Sequence, residues 1–165
     1  MKMNIVLIGM PGSGKSTIGV LLAKAMLMDF VDTDLVIQKN TGKSLSELIR
    51  IYGIEGFSKI EDKTLSEIKC TNTVIATGGS AVYGDAAMKN LKCNAKTVYL
   101  KLDPLEIEGR IKNIKTRGIA MKEGTTITDL YNERAPLYEK YADIVFDCNK
   151  KGVEQCVSKL KEKFL

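Results

Sequence analysis

Short apolar runs alternate with longer amphipathic stretches along the whole chain. Ile5–Ile8, Phe30-Val31, Thr73–Ala76, Thr97–Leu100 and Ile144–Phe146 are β-branched or aromatic-rich and mostly continuous rather than alternating. That pattern predicts strands buried on both faces, as in a parallel sheet. Between them, helical periodicity covers 15–27, 34–40, 45–52, 57–69, 84–91, 104–113, 126–141 and 152–163, with starts marked at Ser44 and at Asp103-Pro104. Strand–helix alternation predicts an α/β fold with right-handed crossovers. Residues 114–125 lack a period and contain Gly118 and Gly124, which predicts an exposed, movable loop.

Composition narrows the chemistry. The 165 residues are 44% hydrophobic and 27% charged, the balance of one ordinary globular domain spanning 1–165. There is no histidine, which excludes Ser-His-Asp and Cys-His triads, a histidine general base and a histidine-bound metal. The net charge of +5 suits anionic small molecules, but there is no run of five like charges and no aromatic platform, so nucleic acid is not an expected partner. Basic residues are overwhelmingly lysine; the only arginines are Arg50, Arg110, Arg117 and Arg134. Each is a candidate for a place that needs a planar, two-pronged donor.

Cysteines 70, 93, 148 and 156 form no Cys-x-x-Cys pair, and reduced thiols in a cytoplasmic protein are expected. The apolar run after Lys2 ends at Gly9, too short for a signal peptide, and no stretch approaches a membrane span. A monomer is expected.

Gly9-Met10-Pro11-Gly12-Ser13-Gly14-Lys15-Ser16 fits G-x-x-x-x-G-K-[ST] between an apolar strand and a helical stretch, the context this phosphate-binding loop requires. Gly12, Ser13, Gly14, Lys15, Ser16 and Thr17 are therefore candidate nucleotide-binding residues. Backbone amides face the phosphates, Lys15 reaches the β- and γ-phosphates, and the Ser16 hydroxyl is a magnesium ligand. The guanine-reading Asn-Lys-x-Asp of GTPases is absent: Asn149-Lys150 runs on into Lys151-Gly152. Phosphoryl transfer to a small acceptor is the favoured reading.

Further motifs follow in order: Asp32-Thr33-Asp34, Thr41-Gly42-Lys43-Ser44, Phe57-Ser58-Lys59-Ile60-Glu61, Gly78-Gly79-Ser80, Arg117, and Arg134-Ala135-Pro136-Leu137-Tyr138. In these motifs the chain resembles the shikimate kinases, P-loop enzymes that phosphorylate the 3-hydroxyl of shikimate with ATP. The resemblance implies a three-layer P-loop fold with a five-stranded parallel sheet flanked by helices, acceptor-binding helices at about 33–61 and a lid at about 114–125. It implies ATP and Mg²⁺ as cofactors, with Asp32 beside Ser16 at the metal. Asp34 would orient the acceptor hydroxyl and take its proton, Gly78 and Gly79 would let the acceptor approach the backbone, and Arg134 would grip its carboxylate. Arg117 would neutralise charge on the transferring group, and Arg110 would stack on adenine.

Arg117 is followed by Gly118-Ile119-Ala120 where the family usually has Pro-Leu-Leu, and two further positions, at the acceptor pocket, depart from the pattern. Where the family has an arginine sharing the acceptor carboxylate, this chain has Ser58, and the glycine triplet ends in Ser80. A hydrogen bond to a charged group is worth about 1.5–3 kcal/mol, so the exchange predicts a roughly ten- to hundredfold weaker carboxylate grip unless something compensates. Ser58 itself is then the candidate acceptor contact. The altered pocket leaves two other readings open: a kinase of the same fold acting on homoserine or gluconate, and a nucleotide-binding regulator without catalysis.

Overall fold

The computed structural model describes residues 2–111 and 118–165. The elements run β1 (Asn4–Ile8), α1 (Lys15–Met26), β2 (Asp29–Asp32), α2 (Thr33–Thr41), α3 (Leu45–Ser66), β3 (Thr73–Ala76), α4 (Asp85–Lys92), β4 (Ala95–Lys101), α5 (Pro104–Arg110), α6 (Ile127–Tyr141), β5 (Ile144–Asp147) and α7 (Val153–Phe164). All pairings are parallel, and the strands lie in the order β2-β3-β1-β4-β5. After β3 the chain crosses to the other side of β1 to form β4. Reversals of this kind leave a crevice beyond the carboxyl ends of the central strands.

The apolar runs predict burial well at the centre of the sheet and less well at its edges. Every residue of β1 and β3 is buried, as are Thr97–Leu100 of β4. In β2 no residue is fully buried, and in β5 only Phe146 is, because an edge strand has a neighbour on one side only. The core between sheet and helices contains Val6, Leu7, Ile8, Leu22, Ile37, Val98 and Leu160, each fully enclosed.

The predicted helix starts coincide with built caps. At α3, the Glu47 amide donates to Ser44 Oγ at 3.2 Å and the Ser44 amide donates to Glu47 Oε2 at 2.7 Å, a reciprocal capping box. Thr126 and Asp129 form the same box at α6. Pro104 opens α5 directly after Asp103, whose side chain makes no capping bond, and that helix ends at Arg110 rather than near residue 113. The two helices predicted at 45–52 and 57–69 are halves of α3, divided where Gly53 takes φ 70° and breaks the helical path. Beyond the break, the second half carries the buried Phe57 and Glu61, and α3 packs chiefly on α4.

The loop prediction needs correction where it is described. Lys122, Glu123 and Gly124 are exposed, but Gly118–Met121 are half-buried, with Ile119, Ala120 and Met121 packed on the core. Gly118 lies so close to α3 that a side chain there would meet Leu45 Cβ at 2.6 Å. Arg117 lies outside the described residues.

Candidate active site

The loop after β1 is shaped by its glycines. Gly14 sits at φ 91° as the residue before α1, a left-handed conformation that costs other residues roughly 1–2 kcal/mol. The Lys15 ammonium, 7% exposed, donates to the carbonyls of Gly9 and Met10 at 2.7 Å each and reaches Ser13 Oγ at 3.4 Å. This holds a positive charge over the loop at the positive end of α1, a ready site for phosphate.

Asp32, the last residue of β2, joins the loop to the acceptor side. Its Oδ1 accepts from the Asp34 amide at 3.0 Å, capping α2, and its Oδ2 accepts from the Ser16 hydroxyl at 2.6 Å. A hydroxyl and a carboxylate side by side are hard oxygen donors that suit Mg²⁺, which takes few protein ligands and completes its shell with phosphate oxygens and water. The residues present therefore fit that ion.

Asp34 and the Gly78-Gly79 strip meet at the mouth of β3. The Thr77 hydroxyl donates to the Leu7 carbonyl at 2.8 Å and the Gly78 amide to Thr33 Oγ1 at 3.3 Å, fixing the strip between β1 and α2. A side chain at Gly78 would sit 2.7 Å from Asp34 Oδ1 and 3.0 Å from Glu61 Oε2, so only glycine leaves room for both carboxyls. One residue on, the same position at Gly79 would be 3.0 Å from Arg134 Nη1.

Arg134, 1% exposed, is tied in place by protein groups. Its Nη2 donates to the Ala120 carbonyl at 2.7 Å and its Nε to Tyr83 Oη at 3.3 Å, and the guanidinium lies over the Tyr83 ring. The Tyr138 hydroxyl, one turn along α6, donates to the Gly79 carbonyl at 2.6 Å. Lys15, Ser16, Asp34, Glu61, Gly78, Gly79 and Arg134 all line one cleft of about 430 Å³.

Burial shifts the acids in this cleft. Asp34 is raised to about 6, first by burial and next by the charge of Asp32, with Lys15 pulling the other way. Glu61 is raised to about 7, again first by burial; the charges of Asp34 and Asp62 add to it, while the Ser80 hydrogen bond and Arg134 oppose it. Because the folded value exceeds the unfolded one, the native protein binds the extra proton. Stability therefore falls as pH rises from about 4.5 through about 7 and stays reduced above that. Glu61→Gln is accordingly expected to raise thermal stability at pH 8, by an amount on the order of 3 kcal/mol at most, and to lose that advantage by pH 5; melting curves at the two pH values check it.

Most of the sequence-predicted residues converge here. Gly12, Gly14, Lys15, Ser16 and Thr17 line the end of the cleft formed by the phosphate-binding loop, and Ser13 is buried. Arg110 stands at the rim, its Nη1 4.0 Å from where a Gly14 side chain would be, with a solvent-exposed ion pair to Glu106 at 3.8 Å. Ser58 does not belong to the lining. Phe57 and Glu61, four apart on α3, share the face turned to the cleft, while Ser58 is rotated about 100° from Phe57 and its side chain is short. Glu61, Ser80 and Tyr138 are site residues whose parts the motifs did not disclose. For Glu61 a signal did exist: it lies one turn after Phe57, on the buried stripe of its helix.

The shikimate kinase family model matches residues 11–164. This chain belongs to the shikimate kinase family. It is 36% identical over 163 residues to the shikimate kinase of Clostridium botulinum strain Eklund 17B, covering 98% of this chain and 97% of that one. It is 37% identical to the shikimate kinase of Francisella tularensis subsp. holarctica over 161 residues, 95% of this chain and 92% of the other. Among solved structures, shikimate kinase from Acinetobacter baumannii in complex with shikimate superimposes with a TM-score of 0.91 at 28% identity, over 99% and 93% of the two chains. Shikimate kinase from Aquifex aeolicus gives 0.81 at 32% identity, over 98% and 96%. The five-stranded parallel sheet is thus the sheet of shikimate kinases, whose phosphoryl donor is ATP. Among the described residues, no helix is long and apolar enough to cross a membrane.

Proposed function

We propose that this chain transfers the γ-phosphoryl group of ATP to the 3-hydroxyl of shikimate. The observation that carries the reading is the convergence of a lysine-bearing phosphate loop, a buried carboxyl and a buried arginine on one cleft. Family membership supports it, as does the likeness to a kinase solved with shikimate.

In this reading the loop amides of Gly12–Thr17 and the Lys15 ammonium cradle the β- and γ-phosphates. Ser16 and Asp32 would hold Mg²⁺, which when bound supplies charge neutralisation between the phosphates. Arg134 offers its guanidinium to the acceptor carboxylate, and Asp34, across the Gly78-Gly79 strip, orients the hydroxyl. The hydroxyl oxygen forms its bond to the γ-phosphorus as the bond to the bridging oxygen breaks; its proton passes to Asp34. An Asp34 raised to about 6 is still mostly ionised at neutral pH and is a better base there than an ordinary aspartate. Arg110, at the rim, is the candidate for stacking on the adenine base, and Arg117 remains the candidate for charge neutralisation on the transferring group. Four free cysteines support a cytoplasmic location.

A coupled ADP-release assay with Mg-ATP tests the proposal against shikimate, homoserine and gluconate as separate acceptors. Turnover on the order of 1–100 s⁻¹ with shikimate, and little with the others, is expected. No turnover with shikimate at millimolar concentration would overturn the acceptor assignment. If none of the acceptors gives turnover, the regulator reading takes its place.

A further inference from the structure

Both acceptor-pocket departures from the family pattern lie beside one side chain. Ser58 precedes Glu61 by three residues on α3, so an arginine at that position would stand one helical turn from the carboxylate and be its natural cation. Ser80 supplies what remains: its hydroxyl donates to Glu61 Oε1 at 2.6 Å. Glu61 is 2% exposed, and its second oxygen, Oε2, has no hydrogen-bond partner. A buried carboxyl oxygen without a partner is costly, and this one lies against Gly78, with which Glu61 shares the cleft lining. The Arg134 guanidinium approaches the adjacent Gly79, so an acceptor carboxylate held by Arg134 lies next to Oε2.

Two anions placed so close would repel in a cleft that also holds Asp34. The groups facing Glu61 are Asp34 from α2, Arg134 and Tyr138 from α6, and Asp62 from its own helix. Among the described residues Arg134 is the one cation in that set, and the acceptor uses it. Resting on the shikimate reading, we propose that Glu61 is an acceptor-binding residue: Ser80 fixes Oε1, and Oε2 takes up one proton from solvent when the acceptor binds and donates it as a hydrogen bond to the acceptor carboxylate. Glu61 thereby performs the donor task of the arginine that position 58 lacks. Ser80 is its positioning residue, and the serine in the glycine triplet is part of the recognition device.

Proton uptake is directly measurable. Calorimetric titration of the full-length protein with shikimate, in buffers of different ionisation enthalpy, is expected to show close to one proton bound per shikimate at pH 8, falling toward zero by pH 5.5. The KM for shikimate should rise up to tenfold per pH unit above about 7 while the KM for ATP follows a different course. Glu61→Gln, which keeps a donor but cannot titrate, should take up no proton and hold its KM nearly flat over pH 6–9. Ser80→Gly should raise the shikimate KM more than it lowers kcat and move the inflection to higher pH, since the bond it removes favours the ionised form. Ser58→Arg should abolish the uptake and lower KM at similar kcat. Shikimate turnover with no proton uptake, or uptake unchanged in Glu61→Gln, would overturn this proposal alone. Absence of both binding and turnover would overturn the shikimate reading with it.

Discussion

Replacing Asp34 by asparagine is expected to lower kcat with shikimate by about 10²–10⁴-fold, the usual contribution of a positioned general base, while ATP affinity changes by no more than about twofold. Asparagine matches the carboxylate in shape, keeps the Gly78 clearance and leaves the Asp32 cap of α2 untouched, because that cap uses the backbone amide of residue 34. What disappears is the capacity to accept the hydroxyl proton. Rapid-quench measurement of the first turnover separates a slowed chemical step from slowed product release. Near-normal single-turnover rates would remove Asp34 from the mechanism.

The second large effect is expected at Arg134. Arg134→Lys keeps the charge and most of the stem but loses the planar fork that meets a carboxylate through two hydrogen bonds. Truncating one partner of a buried charged pair costs roughly 2–5 kcal/mol, so the KM for shikimate should rise at least about 30-fold. The KM for ATP should stay nearly constant, since the loop contacts of Lys15 are separate. The bonds to Tyr83 and Ala120 are weakened as well, and a fall of several degrees in melting temperature is expected from them. Equal changes in the two KM values would instead point to general damage to the cleft.

How far the chain could be read before its structure differs from residue to residue. The P-loop was legible because an apolar strand, a fixed spacing of glycines and a helix start all coincide there, and local chemistry alone decides its shape. The caps at Ser44 and Thr126 involve contacts three residues apart, and for Ser44 the start was visible in sequence. Glu61 was not, because a glutamate on a helix ordinarily marks a solvated face; only the packing of α3 behind Gly53 turns it inward. Ser80 looked like a plain loss of glycine because its partner lies 19 residues earlier. Ser58 drew attention as a missing arginine, yet the response to that loss lies in Glu61 and Ser80. Similarly, the composition of 118–121 says loop, while its half-buried state depends on Arg134, which contacts Ala120 across 14 residues.

That contact between Arg134 and Ala120 links two events through one side chain. The segment after Arg117 hangs its backbone on the guanidinium that the acceptor would grip, so acceptor occupancy and the seating of this segment share a partner. By reciprocity, whatever stabilisation the seated segment gives to the bound acceptor, the acceptor returns to the segment. A change at either end of this contact, in the acceptor or in the segment, is therefore felt at the other through the same guanidinium.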